Sequence, residues 1–211
     1  MNYLYTFEKF GSEILKNSDS DKLKNFIKTV RNAKKFAKKA HYGVNRKSGE
    51  PYYIHPHSVA KIVHDVKESE HIGHIIAAAY LHDTVEDTNI TLEDIRLVFG
   101  DIVMNLVDEV TNDKEKMAIS GKEDYLIDKM IGMSSWALVI KLADRLHNLS
   151  DFEDIMNSED KSRKKWAKKY AKQTKNIIKE LEMSRDLSNS QQTLVDNIKD
   201  KLKIVLVHHD D

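Results

Sequence analysis

Residues 72–88, IGHIIAAAYLHDTVEDT, decide how the rest of the chain has to fold. Apolar residues occupy most positions from Ile72 to Leu81, on all sides of a helix, which predicts a buried central helix rather than one on the surface. This apolar stretch runs directly into His82 and Asp83. Because an unpaired buried charge is costly, both groups need a partner inside the protein.

Helical spacing of apolar residues also dominates the rest of the chain, and only 7 Gly and 2 Pro interrupt its 211 residues. We therefore expect one all-α domain over residues 1–211, with a core at about 21–183 and a last helix at about 190–206. Other helices are predicted at about 21–40, 59–66, 72–82, 91–99, 102–110, 123–131, 135–150 and 159–183, and loops at 41–56 and 112–122. Residues 136–140 would also suit a strand, but the KLADRLHNL that follows favours a helix.

Composition excludes several classes of protein. The 34 basic and 34 acidic residues balance, which argues against a protein that wraps nucleic acid. The absence of cysteine excludes thiol nucleophiles and thiolate metal sites, and it suits a reducing, cytoplasmic interior. No apolar run approaches the ~20 residues that a membrane span needs, and the N-terminus does not match a signal peptide. Basic residues nevertheless cluster at 28–47 and 161–179, where they could face an anionic ligand or simply solvent.

Three separate segments carry the side chains able to do chemistry: LHDTVEDT at 81–88, KLADRLHNL at 141–149 and the loop RKSGEPYYIHP at 46–56. Together they supply two imidazoles and two carboxylates, at positions 55, 82, 83 and 144, which is the composition of a catalytic site for Mn, Fe, Zn or Ni. Each segment alone has a simpler interpretation: a polar helix end, a solvated face with Asp144 paired to Arg145 or Lys141, and a basic turn. Six further histidines are interpreted as surface or core residues: His57, His64, His71, His74, His208 and His209.

These same segments resemble the hydrolase domain of the RelA/SpoT family in order and spacing, over roughly residues 25–150. The resemblance implies an HD-domain helical bundle of about eight to ten helices. Within the family, the chain resembles the small members that consist of this domain alone. It implies an enzyme that hydrolyses guanosine 3′,5′-bis(diphosphate), ppGpp, or its pentaphosphate analogue at the 3′ position, giving GDP or GTP and pyrophosphate. The substrate would be a small nucleotide, with no nucleic acid or membrane partner, and self-association is left open.

The resemblance also implies roles for individual residues. A manganese ion would be held by His55, His82, Asp83 and Asp144. Catalysis by positioning or activating water falls to Glu86 and Asp87. Substrate contacts fall to Arg46, Lys47, Ser48 and Asn148.

Two departures from the family pattern bear on the substrate pocket: Ser150 and Asp151 stand where long members usually carry Arg and Thr. Two alternative functions follow from the same residues. One is hydrolysis of another nucleotide, such as NADPH at its 2′-phosphate. The other is a nucleotide-binding regulator without catalysis, which the presence of Glu86 and Asp87 argues against.

Overall fold

The computed structural model describes residues 20–46 and 49–207. It contains helices α1 (Ser20–Ala40), α2 (Ile54–Val66), α3 (Ile72–Leu81), α4 (Thr84–Asp87), α5 (Leu92–Phe99), α6 (Asp101–Val110), α7 (Lys114–Ser120), α8 (Lys122–Gly132), α9 (Ser135–Ser150), α10 (Phe152–Asn157), α11 (Lys161–Ser184) and α12 (Asn189–Val207). Within these ranges nine helices have eight residues or more, and one antiparallel bridge, between Asn45 and Pro51, is the extent of β-structure. The all-α prediction is confirmed.

The described residues divide into two compact units, with the boundary between Thr111 and Asn112. The expectation of one domain over residues 1–211 stays a prediction. No helix in the part of the chain that the structure describes combines the length and apolar character needed to cross a membrane.

The first unit is built around α3, the helix predicted to be central. Helices α1, α2 and α6 all pack against it. Side chains from every side of α3 are fully excluded from solvent, among them Ile75, Ile76 and Leu81. A helix that is apolar on all sides has no solvent-tolerant face, so the surrounding helices have to cover it.

Gly73 permits the close approach of α1 to α3. A β-carbon added at Gly73 would lie 2.8 Å from Cδ2 of Phe26, a buried side chain of α1. Further along α3, the Tyr80 hydroxyl lies 2.7 Å from Nδ1 of His57 on α2. The polar groups of Tyr80 and His57 are therefore hydrogen-bonded to each other, as polar groups shielded from water usually are.

The second unit is organised by α9, which packs mainly on α12, while α11 packs on α8 and α12. Residues 136–140 belong to α9, which settles the choice between helix and strand in favour of the helix. Leu138 and Ile140 on α9 are fully buried, as are Ile177 and Leu194 on α11 and α12.

Three sequence predictions about local structure need correction. Helix α2 begins at Ile54, so the end of the predicted loop 41–56 is helical and His55 lies in the first turn of α2. Helix α7 occupies Lys114–Ser120 inside the predicted loop 112–122. It forms because the Asp113 side chain accepts hydrogen bonds from two backbone N–H groups at its start, although its surface is too polar for periodicity to show it. The third correction concerns the end of α3.

Helix α3 is shorter than the helix predicted at about 72–82. It ends at Leu81, and Asp83 (φ −101°, ψ −4°) precedes the separate short helix α4. The Thr84 hydroxyl donates to the carbonyl of Leu81 at 2.7 Å, satisfying one of the backbone acceptors left at the end of α3. By contrast, the helix predicted at about 91–99 is present as α5, and Thr91 and Asp94 form a capping box at its start.

Replacing Gly73 by Ala tests the packing of α1 on α3. We expect Gly73→Ala to lower the free energy of unfolding by about 1–3 kcal/mol, because the added methyl group overlaps the Phe26 ring. Gly132→Ala is the matched control, since Gly132 is also helical and has nothing within 4 Å of the added atom. Urea denaturation measures both variants; equal stability of the two would contradict the close approach.

Candidate functional site

The first unit brings together three of the four predicted metal ligands. His55 from α2 and His82 from the end of α3 are both buried, and their rings lie 5.2 Å apart between centroids. A ring nitrogen of His55 lies within 4.8 Å of a ring nitrogen of His82. Oδ2 of Asp83 lies 3.1 Å from Nε2 of His82 and 3.5 Å from Nε2 of His55. The two imidazoles and this carboxylate therefore converge on one point.

The hydrogen bond made by His82 defines which of its nitrogens is available. Nδ1 of His82 donates to the carbonyl of Ala79 at 2.8 Å, because a carbonyl oxygen can only accept. In the neutral ring, Nε2 therefore keeps its lone pair and faces the Asp83 carboxylate. Two electron-pair donors this close need a proton or a metal ion between them. This mixed imidazole and carboxylate set fits a divalent transition metal.

Asp83 is an ionised carboxylate whose side chain is largely shielded from solvent, with 18% of it exposed. Burial favours its neutral form, but the imidazoles of His82 and His55 and the Tyr52 hydroxyl outweigh this effect and hold the pKa of Asp83 well below its usual range. A permanently ionised carboxylate is what a cation site requires.

Tyr52 is the residue that sequence reasoning missed. Its hydroxyl lies 2.6 Å from Oδ2 of Asp83 and 3.0 Å from Oδ2 of Asp87, donating to carboxylates 31 and 35 residues further along the chain. Burial and these two carboxylates raise the pKa of Tyr52 far above its usual value, so the hydroxyl stays protonated. The PYYIHP motif contains Tyr52 but does not indicate its partners.

The ring of His41 packs against one face of the Tyr52 ring. The two rings stack at 4.6 Å between centroids, and only 3% of the His41 surface is exposed. Burial is the main cause of a lowered pKa at His41, so its ring is neutral at pH 7.

Arg46 lies at the edge of the cluster. Its Nη1 is 3.2 Å from Nδ1 of His55, and because a guanidinium only donates, Nδ1 accepts. In this arrangement the ring proton of neutral His55 sits on Nε2, and metal binding through Nε2 would require the other tautomer, with the proton on Nδ1. The loop is closed below Arg46 by its backbone N–H, which donates to the carbonyl of Glu50 at 2.8 Å. Lys47 and Ser48 fall outside the described residues.

The two predicted catalytic carboxylates lie on α4. Asp87 accepts from Tyr52, as described above, and its neighbour Glu86 is half-buried. Both follow within one turn of Asp83, because the backbone N–H of Asp87 donates to the carbonyl of Asp83 at 3.0 Å. The break after Leu81 and the new turn of α4 therefore place these three acids in one short segment.

The second unit places Asp144 and Asn148 on the same face of α9. The Asn148 amide donates to Oδ1 of Asp144 at 2.8 Å and approaches the Tyr170 hydroxyl at 3.4 Å. Lys141 Nζ is 3.9 Å from Oδ2 of Asp144, and the two side chains are only 8% and 13% exposed. The pairing of Asp144 with Lys141 in the simpler interpretation is therefore present, but the pair is shielded from solvent and does not lie on a solvated face.

Arg145 does not pair with Asp144 but turns into the second unit. It is buried, its Nη1 donates to the Thr174 hydroxyl at 2.8 Å, and its guanidinium lies 5.3 Å from the centre of the Tyr170 ring. Thr174 in turn donates to the carbonyl of Tyr170 at 2.9 Å. Arg145 thus holds α9 to α11 by a charged hydrogen bond.

The basic stretch 161–179 lies on α11. Its lysines line an open groove of about 610 Å³ together with Glu123 and Gln173. The lining lysines are Lys161, Lys164, Lys165, Lys168, Lys169 and Lys172. The opposite face of α11 is buried through Ala167, Ala171 and Ile177. This arrangement agrees with the interpretation of the stretch as a solvated helix face.

Comparison with known proteins gives a consistent result. A family model described as "HD domain" matches residues 33–186. Guanosine-3′,5′-bis(diphosphate) 3′-pyrophosphohydrolase MESH1 of Xenopus tropicalis is 41% identical over 128 residues, covering 57% of this chain and 68% of that protein. A GTP pyrophosphokinase of Streptomyces coelicolor is 40% identical over 126 residues, 58% of this chain. The chain spans only 14% of that long relative.

A solved structure shares the fold. It is described as a metazoan ortholog of SpoT that hydrolyzes ppGpp and plays a role in starvation responses. It superimposes with a TM-score of 0.64 at 27% sequence identity, covering 82% of this chain and 95% of that chain.

Replacing Thr174 by Val tests how Arg145 is held. We expect Thr174→Val to lower the free energy of unfolding by about 1–3 kcal/mol, because the isosteric side chain leaves the buried guanidinium without its acceptor. Thr174→Ser keeps the hydroxyl and should cost clearly less. Urea denaturation of the two variants decides, and equal losses would show that volume rather than the hydrogen bond matters.

Proposed function

Because this chain belongs to the HD-domain family, we propose that it is a metal-dependent hydrolase that cleaves ppGpp or its pentaphosphate analogue at the 3′ position. The products are GDP or GTP and pyrophosphate. The observation that carries the proposal is the convergence of His55, His82 and Asp83 beside Asp87. Support also comes from MESH1, which is 41% identical and bears the name of this chemistry.

The metal in this proposal is one Mn²⁺ ion, held by His55, His82, Asp83 and Asp144. Support comes from the mixed imidazole and carboxylate donors, because imidazole ligands favour a transition metal over Mg²⁺. A set of oxygen ligands alone would not distinguish Mn²⁺ from Mg²⁺. When bound, the ion supplies Lewis-acid activation of water and neutralises charge on the phosphates. Asp144 is shielded from solvent and already hydrogen-bonded by Asn148, as metal-ligating carboxylates usually are.

The protein side chains then divide the remaining work. Glu86 and Asp87 orient the attacking water and accept its proton, since a carboxylate can do both within hydrogen-bonding reach. Arg46, Lys47 and Ser48 bind the phosphates, and charge-assisted hydrogen bonds from Arg and Lys stabilise the negative charge that builds on the leaving pyrophosphate. Asn148 contacts the ribose side of the substrate. We place the protein in the cytoplasm, a reducing compartment that the absence of cysteine suits, and self-association stays a prediction.

The direct test is product analysis. The purified protein is incubated with ppGpp and Mn²⁺, and the products are separated by anion-exchange chromatography. We expect GDP and pyrophosphate in equal amounts, and we expect removal of the metal by chelation to stop the reaction. NADPH is supplied in a parallel and a competing reaction. Dominant release of phosphate from NADPH, or binding of ppGpp without any product, would reject the proposed activity.

Three substitutions separate metal binding from catalysis. Asp83→Ala should abolish both Mn²⁺ binding and turnover, because it removes a ligand and the partner of His82. Glu86→Ala and Asp87→Ala should keep Mn²⁺ binding but lower turnover by about 100-fold or more, since they remove the base. Isothermal titration with Mn²⁺ and initial rates on ppGpp measure the two effects.

The matched control is Asp65→Ala, a partly exposed carboxylate of α2 whose partners are Lys61 and His64. It should leave both binding and turnover unchanged. Full activity in all three site variants would mean that the proposed site is wrong.

A further inference from the structure

We propose that Tyr52 is a positioning residue, whose hydroxyl fixes the carboxylate of Asp87 relative to that of Asp83. This inference rests on the proposed function, in which Asp83 holds the metal and Asp87 serves the attacking water. It assigns Tyr52 no contact with the reacting atoms.

The Tyr52 hydroxyl contacts two carboxylates at once. The Tyr52 oxygen lies 2.6 Å from Oδ2 of Asp83 and 3.0 Å from Oδ2 of Asp87, so one proton is shared between two carboxylates. Without that proton, the largely shielded Asp83 carboxylate and the exposed Asp87 carboxylate would face each other at short range and would repel. The hydroxyl therefore holds together two acids that would otherwise separate.

The origin of the two acids makes this link necessary. Asp83 lies in the break between α3 and α4, and Asp87 is the last residue of α4, a helix of four residues. So short a helix has little intrinsic stability, because its few internal hydrogen bonds barely offset the cost of nucleation. The bond from Tyr52 to Asp87 fixes the far end of α4 from outside the helix.

Tyr52 can do this because it is itself held on several sides. Its ring is stacked on the buried ring of His41 at 4.6 Å and meets the edge of His55 at 6.0 Å. Its backbone N–H donates to the carbonyl of Val44 at 2.9 Å. A tyrosine has only two side-chain torsions, so fixing the ring and the backbone leaves the hydroxyl one place to go.

The hydrogen-bond partners of a metal-ligating residue contribute measurably to metal affinity and to activity. Removing a group that orients a metal-ligating carboxylate typically costs about 10–100-fold in metal affinity or activity. We therefore expect Tyr52→Phe, which keeps the ring and removes the hydroxyl, to lower kcat about 10–100-fold. KM for ppGpp should stay within about threefold, because the substituted group does not touch the substrate.

The experiment compares Tyr52→Phe with Tyr53→Phe. Tyr53 is the adjacent tyrosine, and its ring lies instead against the Lys38 ammonium, 4.9 Å from Nζ to the ring centre. Each purified variant is assayed for kcat and KM on ppGpp with Mn²⁺, titrated calorimetrically with Mn²⁺ alone, and melted. Tyr52→Phe should lose about tenfold or more in Mn²⁺ affinity as well as in kcat, whereas Tyr53→Phe should match the wild type throughout.

A double substitution tests whether Tyr52 acts through Asp87. In an Asp87→Asn background, and at Mn²⁺ concentrations that saturate both variants so that weaker binding at Asp83 has no effect, adding Tyr52→Phe should change the residual turnover by less than about twofold, because groups that act as a unit are not additive. A merely structural role would instead multiply the two losses. Wild-type kcat and Mn²⁺ affinity in Tyr52→Phe, or multiplying losses, would overturn the inference.

Two further measurements keep the outcome decisive. If Tyr52→Phe melts early, His41→Leu removes the stacked ring beneath Tyr52 and leaves the hydroxyl in place; it should lower kcat several-fold without raising KM, and a wild-type kcat would overturn the inference. If the wild-type protein does not hydrolyse ppGpp, the proposed function fails. The Mn²⁺ titration of Tyr52→Phe still decides whether Tyr52 orients Asp83.

Discussion

The first unit depends on one constraint: a carboxylate that is ionised although only 18% of its side chain is exposed to water. Asp83 directly follows the wholly apolar helix α3, and its charge is tolerated because His82, His55 and Tyr52 all direct polar atoms toward it. Each of these partners lies on a different part of the unit, namely the end of α3, the first turn of α2 and the loop before it. The need to compensate one buried charge therefore organises three separate segments around it.

The packing of the first unit makes the end of α3 rigid. Helix α3 is covered by α1, α2 and α6, so its end cannot shift without disturbing the core. His82 is in addition tied to the Ala79 carbonyl, which fixes the ring that faces Asp83. A metal site built on such an element is held within a narrow range of geometry before any ion binds, which is how a protein gains affinity without reorganisation.

The structure could be predicted from the sequence where apolar periodicity and the chemistry of the side chains indicated the same arrangement. The buried helix, the polar pair that ends it and the shared face of Asp144 and Asn148 all follow from spacing along one element. Prediction failed where the determining partner is distant in sequence or the surface is polar throughout. Helix α7 has no apolar stripe, and Tyr52 is connected to acids 31 and 35 residues away, a distance over which sequence carries no rule.

By itself the sequence determined that the chain is all-α, that α3 is central, and which residue types can bind a metal and a phosphate ester. These properties follow from the apolar content of one helix and from the donor atoms of particular side chains, and both are local. Only the tertiary structure decided that α3 stops at Leu81, that Arg145 turns away from Asp144 to Thr174, and that one tyrosine hydroxyl joins Asp83 to Asp87. Such pairings are decided by packing, because a polar group entering the core takes whichever partner the neighbouring helices bring within hydrogen-bonding distance.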